Sequence, residues 1–397
     1  MTSSARSMAL SDLRVLDLTR VRAGPTCCRV LADFGADVVK IEAPPGVDPN
    51  EGISGPRHGY DMLNLHRNKR SLTLNLKKPE GLEVFKSLVK TADVVVENYR
   101  PDVKTRLGID YDALSAKNPG IILASISGFG QSGPYEKRAG YDQIAQGMGG
   151  LMWVTGNPGG GPMRAGTAVA DSTAGLYAAT GIMIALHERE RSGKGQWLHT
   201  SLLQAQIAIM DFQAARYLID GDVPAQTGND HPYSTPVGVI ETKDGYINIA
   251  VGGDGQWHSL CDAIERPDLA HVEQYATVPS RFENRPAVWA LLQPIFKQHS
   301  SAFWLDHLEK HGVPAGPIYK VDEMFEDPQV KHVDMAPTVP HNSRGDHKVV
   351  GQPLNLERTP AAFTKAAPDA GEHTDEILKE AGYDQASIDG LREKLVV

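Results

Sequence analysis

The sequence predicts an α/β protein, with a Rossmann-like, doubly wound parallel sheet in a large domain and a smaller α+β domain after it. Three observations carry this. Short β-branched runs alternate with helical patterns through the first half of the chain, which implies βαβ units. The turn Thr19 to Pro25 closes the first strand and opens a helix, the place where open α/β sheets take ligands. Beyond Asp220 the composition shifts to Asp-Gly-Asp-Val-Pro and Gly228-Asn-Asp-His-Pro, which read as linker, and then to a hairpin pattern.

The strands are expected at 14–18, 37–41, 71–76, 93–97, 120–126 and 196–200. Between the first two, the run 25–34 has Pro at its start and Gly35 just past its end, the usual asymmetry of a helix. The run 79–92 sets Leu82, Val84, Phe85, Leu88 and Val89 on one side. A helix follows Asp171 and stops at Gly193, with Arg189 and Arg191 in its last turn. Another helix is expected from the strand at 196–200 to about Leu218. In the second domain, 236–241 and 246–251 flank an Asp-Gly turn and form a hairpin, with helices at 256–265, 287–299 and 302–311. The expected organisation is 1–205 large domain, 206–229 linker, 230–330 small domain, and 331–397 a segment of long loops and a final helix pair.

The chain of 397 residues is large enough for two domains. A net charge of −9 leaves no domain-wide basic surface for phosphate backbones, so a nucleic-acid partner is not expected. The cysteines are Cys27, Cys28 and Cys261, with no zinc-type spacing. They point to a reducing, cytoplasmic setting. The apolar run Leu176–Leu186 is too short to span a bilayer, so no membrane partner is expected. The start from Thr2 to Ser7 is Ser-rich and lacks an apolar signal core; it reads as a disordered tail. The fourteen histidines make no HxxxH or HExxH arrangement, so no metal site is expected.

The richest stretch is Met163 to Gln196, where Asp171 stands at the start of a strongly apolar helix with no base or metal-type ligand beside it. Asp is a strong N-cap residue, so capping is the plain reading. The other is a nucleophile toward an acyl group, for which the carboxylate must be ionised. A helix N-terminus favours that form by about 0.3–1 kcal/mol. Gly193-Lys-Gly195 lacks the glycine and hydroxyl of a phosphate loop and follows a helix, so it reads as a helix stop. Gly156 to Pro162 lacks dinucleotide spacing and reads as a surface loop or a wall of the approach to the site. Gly252–Gly255 reads as a turn after the hairpin.

The sequence resembles the family III CoA-transferases, also called the CaiB/BaiF family. Asp171, Gly175, Ala185-Leu186, Arg189 and Gly193 to Gln196 match its signature around the acyl-carrying aspartate. Further matches run through Arg14 to Pro25, Leu31 to Glu42, Asn68 to Ser71, Val96 to Tyr99, Ser127 to Pro134, Gly140 to Asp142 and Gly371 to Glu376. The pattern is most similar to the succinyl-CoA and dicarboxylate branch. The resemblance implies that the C-terminal segment returns to the large domain and that two chains interlock as a homodimer. It implies acyl-CoA and small carboxylic acids as substrates, with no metal or redox cofactor. Asp171 would carry the acyl group and then CoA.

The turn Val21, Arg22, Ala23 would meet the acyl-thioester end and offer backbone N–H groups to the oxyanion. Leu74, Asn98, Arg106, Tyr141 and Asp142 would belong to the CoA and substrate site. A basic residue common after the Lys40-Ile-Glu42 segment is replaced by Ala43-Pro-Pro, so Lys137 and Arg138 are candidates to supply its charge. Arg22 is suited to a second, non-reacting carboxylate, since its planar fork pairs with carboxylates; otherwise it is a solvated surface arginine. The racemase branch uses histidine where Tyr141 stands, and a phenol with its ordinary pKa of about 10 exchanges protons poorly. Transfer is therefore expected over 2-methylacyl-CoA racemisation. Formyl-CoA:oxalate transfer and a non-catalytic binding scaffold are the other readings.

Overall fold

The computed structural model describes residues 8–49, 52–341 and 344–397; the expected tail Thr2–Ser7 lies outside them. The chain divides into two compact units, one made of 1–151, 164–220 and 331–397, the other of 152–163 and 221–330.

In the first unit a six-stranded sheet runs in the order β3-β2-β1-β4-β5-β6. Its strands are β1 (Arg14–Asp17), β2 (Asp37–Glu42), β3 (Arg70–Thr73), β4 (Val94–Glu97), β5 (Ile122–Ser127) and β6 (Trp197–Ser201). Every pairing is parallel. This is the doubly wound order, with its reversal between β1 and β4. Val15, Val38, Val94 and Ile122 are buried on one face, and Leu16, Val39, Val95 and Leu123 on the other. Strands buried on both faces read as continuous apolar runs, which is why the sequence shows them.

Helices cover both faces. The helices up to residue 220 are, in chain order, α1 (Ala23–Asp33), α2 (Tyr60–Leu65), α3 (Pro79–Val89), α4 (Pro101–Leu107), α5 (Tyr111–Ser115), α6 (Asp142–Met148), α7 (Leu151–Val154), which falls mostly in the second unit and does not cover the sheet, α8 (Val169–Ser192), α9 (Leu202–Ala208) and α10 (Asp211–Asp220). The helix expected to reach Leu218 breaks at Ile209–Met210. Helix therefore extends through more than half of the stretch expected as linker; besides the break at 209–210, 221–229 lacks it. The apolar run 176–186 also continues into a longer helix. At 24 residues α8 is long and apolar enough to cross a membrane by length and composition alone. In the fold it is a core helix: Ala170, Ala174, Ala178, Ile182 and Ala185 belong to the cluster that contains Val15 and Ile122.

Gly175 brings α8 against α1. A Cβ there would lie 2.4 Å from the Ala23 carbonyl oxygen and 2.9 Å from Thr26 Cβ. Gly193 ends α8 in the left-handed conformation, φ 70°, the helix stop read from the sequence.

The C-terminal segment ties back onto the beginning of the chain. Ala362 N–H donates to Asp33 O (2.9 Å), Asn68 N–H to Lys365 O (2.9 Å), His373 N–H to Ser71 O (3.0 Å) and Asn75 N–H to Val396 O (2.7 Å). Arg70 holds both Glu376 (2.8 Å) and Glu380 (2.7 Å).

The second unit is built on an antiparallel sheet of β7 (Val237–Glu241), β8 (Tyr246–Ala250) and β9 (Ala315–Pro317). The hairpin lies where the Asp-Gly turn places it. Trp257, Leu260, Leu292, Phe296 and Trp304 fill its core, with the Phe296 and Trp304 rings stacked at 4.3 Å. Residues 152–163, expected in the large domain, belong to this unit; Gln226 holds them through the carbonyls of Thr155 (2.7 Å) and Gly161 (2.6 Å). Gly253 starts the helix α11 (Asp254–Ala263).

Candidate active site

A cavity of about 1010 Å³ opens in the first unit at the C-terminal ends of β1 and β4, the switch point of the sheet. Its walls include the turn after β1 (Leu18–Ala23), the segment after β4 (Asn98–Pro101), Gly128 and Phe129 after β5, and Asp171.

The turn after β1 is fixed by several bonds. Asp17 Oδ1 accepts from Thr19 N–H (2.9 Å) and Thr19 Oγ1 (2.6 Å). Lys40 Nζ donates to Thr19 O (2.6 Å). Asn98 accepts from Arg20 N–H (2.9 Å) and donates to Arg20 O (2.8 Å). Val21 has φ +63°, a conformation a β-branched residue rarely adopts and one that the surrounding contacts must enforce. Beneath the turn, Asp17 and Lys69 form a pair with both side chains fully buried, 2.8 Å apart. Burial alone would push the Asp17 carboxyl up; Lys69, then Lys40 and His66, outweigh it and hold the group well below the usual carboxylate range.

Asp171 is the third residue of α8 and does not cap it; the N-cap position is Ala168 and has no side-chain cap bond. The cap comes from another helix. Asp142, at the start of α6 and only 8% exposed, accepts through Oδ1 from the N–H groups of Ala170 (2.9 Å) and Asp171 (3.3 Å). The side chain of Asp171 is thereby left to the cavity. Burial, and next the charge of Asp142, push its carboxyl up to about 6, against the opposing effect of Arg22. A helix N-terminus alone favours the ionised form; here burial and a like charge outweigh it.

A family model described as CoA-transferase family III matches residues 10–374. The chain belongs to that family. It is 40% identical to a succinate–glutarate CoA-transferase of Agrobacterium fabrum over 94% of this chain and 96% of that one. It is 38% identical to a succinyl-CoA:mesaconate CoA-transferase of Haloarcula marismortui over 95% and 97%. A CaiB/BaiF family crystal structure from Brucella suis superposes with a TM-score of 0.82 at 37% identity, over 95% of this chain and all of that one. The protein is a CoA-transferase.

In this CoA-transferase, Val21, Arg22, Ala23, Leu74, Asn98, Arg106, Arg138 and Tyr141 all line the cavity with Asp171. Lys137 is exposed and does not line it. Asp142 does not line it either, because its oxygens are engaged behind Asp171. Val21 N–H, one of the expected oxyanion donors, is used by Ser54 Oγ (3.0 Å). The first N–H groups of α1, at Ala23 and Gly24, have no intrahelical acceptor, as at any helix start. Arg138 lies over the Tyr135 ring at 4.0 Å, and Arg106 pairs loosely with Asp102 (3.6 Å).

The residues not anticipated are Arg57 and Asp61. Arg57 reaches Glu42 and lines the cavity. It brings positive charge, from fifteen residues further on, to the place where Ala43-Pro-Pro lacks it. Residues 45–59 have no periodicity, so no sequence signal marked it. Asp61 pairs with Arg22 at 2.7 Å. Among the described residues, no group of three or more His, Cys, Asp or Glu is arranged to hold a metal.

Proposed function

We propose that the protein moves CoA from a dicarboxylyl-CoA donor, succinyl-CoA or a close relative, to a dicarboxylic or hydroxy-dicarboxylic acid, with Asp171 as nucleophile. The observation that carries this is the half-buried carboxylate of Asp171, raised to about 6 yet still largely ionised at neutral pH, in the wall of a cavity at the sheet's switch point. The relatives named above carry succinate, glutarate and mesaconate in their names.

The Asp171 carboxylate attacks the thioester carbonyl, the C–S bond breaks, and a mixed anhydride and CoA thiolate result. The thiolate attacks the aspartyl carbonyl, releasing the donor acid and leaving an aspartyl-CoA thioester. An acceptor carboxylate attacks that thioester and expels the thiolate. The thiolate then takes the acceptor's acyl group and frees Asp171. Each step exchanges groups of similar energy, so no net proton, electron or cofactor is required. The N–H groups at the start of α1 are suited to the tetrahedral oxyanion. Arg20, Arg57, Arg100 and Arg106, all in the cavity wall, supply positive charge for the CoA phosphates.

Arg22 supports the second carboxylate. It lines the cavity, acts electrostatically on Asp171, and uses Nη2 on Asp61. The reading extends to an interlocked homodimer: Leu176, Tyr177, Met183 and Ile184 leave an exposed apolar face on α8, and such faces are commonly covered by another chain. The three cysteines, all free and buried, suit a reducing cytoplasm.

The test is intact-protein mass spectrometry after incubation with succinyl-CoA, with hydroxylamine as trap. A hydroxamate at Asp171, absent from Asp171→Ala, is expected. No adduct with any of several acyl-CoAs would overturn the reading, and α-proton exchange in heavy water would then test for an isomerase.

A further inference from the structure

Asp142 is a buried carboxylate immediately behind the nucleophile, and the transfer steps do not use it. It is the first residue of α6, and its Oδ1 faces the first turn of α8. It therefore lies at the N-terminal ends of two helices, each of which favours a negative charge. Gln146, one turn on and fully buried, fixes its other oxygen through Nε2–H···Oδ2 (2.6 Å). The same Gln146 donates to Thr167 O (3.1 Å) and accepts from Ala165 N–H (2.9 Å). One side chain thus locks Asp142 to the strand of chain that leads into α8.

The arrangement takes from Asp171 what its position would otherwise give it. At the third position of a helix, a carboxylate ordinarily enjoys the free N–H groups of the first turn. Here those of Ala170 and Asp171 point at Asp142 instead. The charged and titratable groups around Asp171 are Asp142 at the start of α6, Arg22 before α1, Tyr141 in the cavity wall, and Arg164, whose Nη2 stands 4.0 Å from Asp142 Oδ2. Among the described residues, Asp142 is the negative group that acts on Asp171.

We propose that Asp142 is a positioning residue that keeps Asp171 nucleophilic, by occupying the N–H groups at the start of α8 and holding a like charge behind the reacting carboxylate. The proposal rests on Asp171 being the nucleophile. A carboxylate stripped of donors attacks a thioester carbonyl more readily and is not diverted into capping its own helix.

The experiment compares the pH dependence of kcat/KM for CoA transfer from succinyl-CoA in the wild type, Asp142→Asn and Asp142→Glu. Folding is checked by circular dichroism at each pH. The wild-type acid limb is expected near 6. Asp142→Asn has nearly the same shape and can still accept from the two N–H groups, but it is neutral. Its acid limb is expected to fall by about one pH unit, with a severalfold lower plateau rate. Asp142→Glu keeps the charge while misplacing the cap; its acid limb is expected to stay near 6 despite lower stability.

An acid limb unmoved in a folded Asp142→Asn, with only Tm reduced, would make Asp142 a helix cap and nothing more. Should Asp142→Asn not fold, a drop of the limb below 5 in Asp142→Glu would overturn the proposal equally. Hydroxylamine trapping on each protein separates this from failure of the nucleophile assignment, in which no variant, nor the wild type, gives a hydroxamate at Asp171.

Discussion

Arg22 and Asp61 are joined through a single nitrogen, Nη2 to Oδ1 at 2.7 Å, with Arg22 about 30% exposed. One contact leaves most of a planar five-donor fork for another acid. Arg22→Gln is therefore expected to raise KM for dicarboxylate acceptors at least tenfold while changing KM for a monocarboxylate such as butyrate less than twofold. Steady-state kinetics with the two acids decides it. Equal losses for both would remove Arg22 from acid recognition.

Asp171 lowers the stability of the protein that carries it. Its folded carboxyl is raised from 3.8 to about 6, so above pH 6 the folded state holds a charge that the unfolded chain holds more easily. The penalty is on the order of 1–3 kcal/mol, and it vanishes as pH falls through 6 toward 4, where both states become protonated. Asp171→Asn should unfold at a higher temperature than the wild type at pH 8 and at nearly the same temperature at pH 4. A gain that persists at pH 4 would point to some other cause.

Lys69→Met should be among the most damaging single changes outside the cavity. It leaves the fully buried Asp17 without its nearest cation, and uncompensated buried charges cost about 3–5 kcal/mol. Urea denaturation measures this directly. The double variant Asp17→Asn/Lys69→Met should recover part of the loss, because the charge left unpaired is then gone.

Gly175→Ala tests the approach of α8 to α1. The added Cβ meets backbone, the Ala23 carbonyl oxygen, at 2.4 Å, and backbone cannot swing aside as a flexible side chain can. An overpacking cost of about 1–3 kcal/mol is expected, with a much larger loss of transfer rate, since Asp171 and Ala23 separate together. A variant with normal turnover would show that this spacing is not critical.

The sheet was readable because β1, β2, β4 and β5 are apolar runs buried on both sides, and Gly35 and Gly193 mark helix ends by backbone geometry that local sequence states openly. The cavity turn was readable for the same reason, as a strand end followed by a proline near a helix start. Asp171 could be singled out, but its relation to its helix could not. Asp is favoured both at the N-cap and within the first turn, and what separates the two is an acceptor 29 residues away. Asp142 was expected in the CoA and substrate site, but it stands outside the cavity wall; its place behind Asp171 follows from α6 meeting α8. Arg57 and Asp61 come after a Gly- and Pro-rich stretch of turns without periodicity; only tertiary packing brings them to Glu42 and Arg22. The break at Ile209–Met210 left no proline or glycine to announce it.

The return of the C-terminal segment to β3 sets an order of assembly. Ser71 waits for His373, 302 residues later, to complete the outer side of the sheet. At translation rates of about 5–20 residues per second, that interval lasts roughly 15–60 s. During it the edge strand β3 emerges with unsatisfied backbone groups, a template for pairing with neighbouring nascent chains. Removal of the segment that holds Gly371 and His373 would therefore be expected to yield an adhesive chain rather than a slightly impaired enzyme.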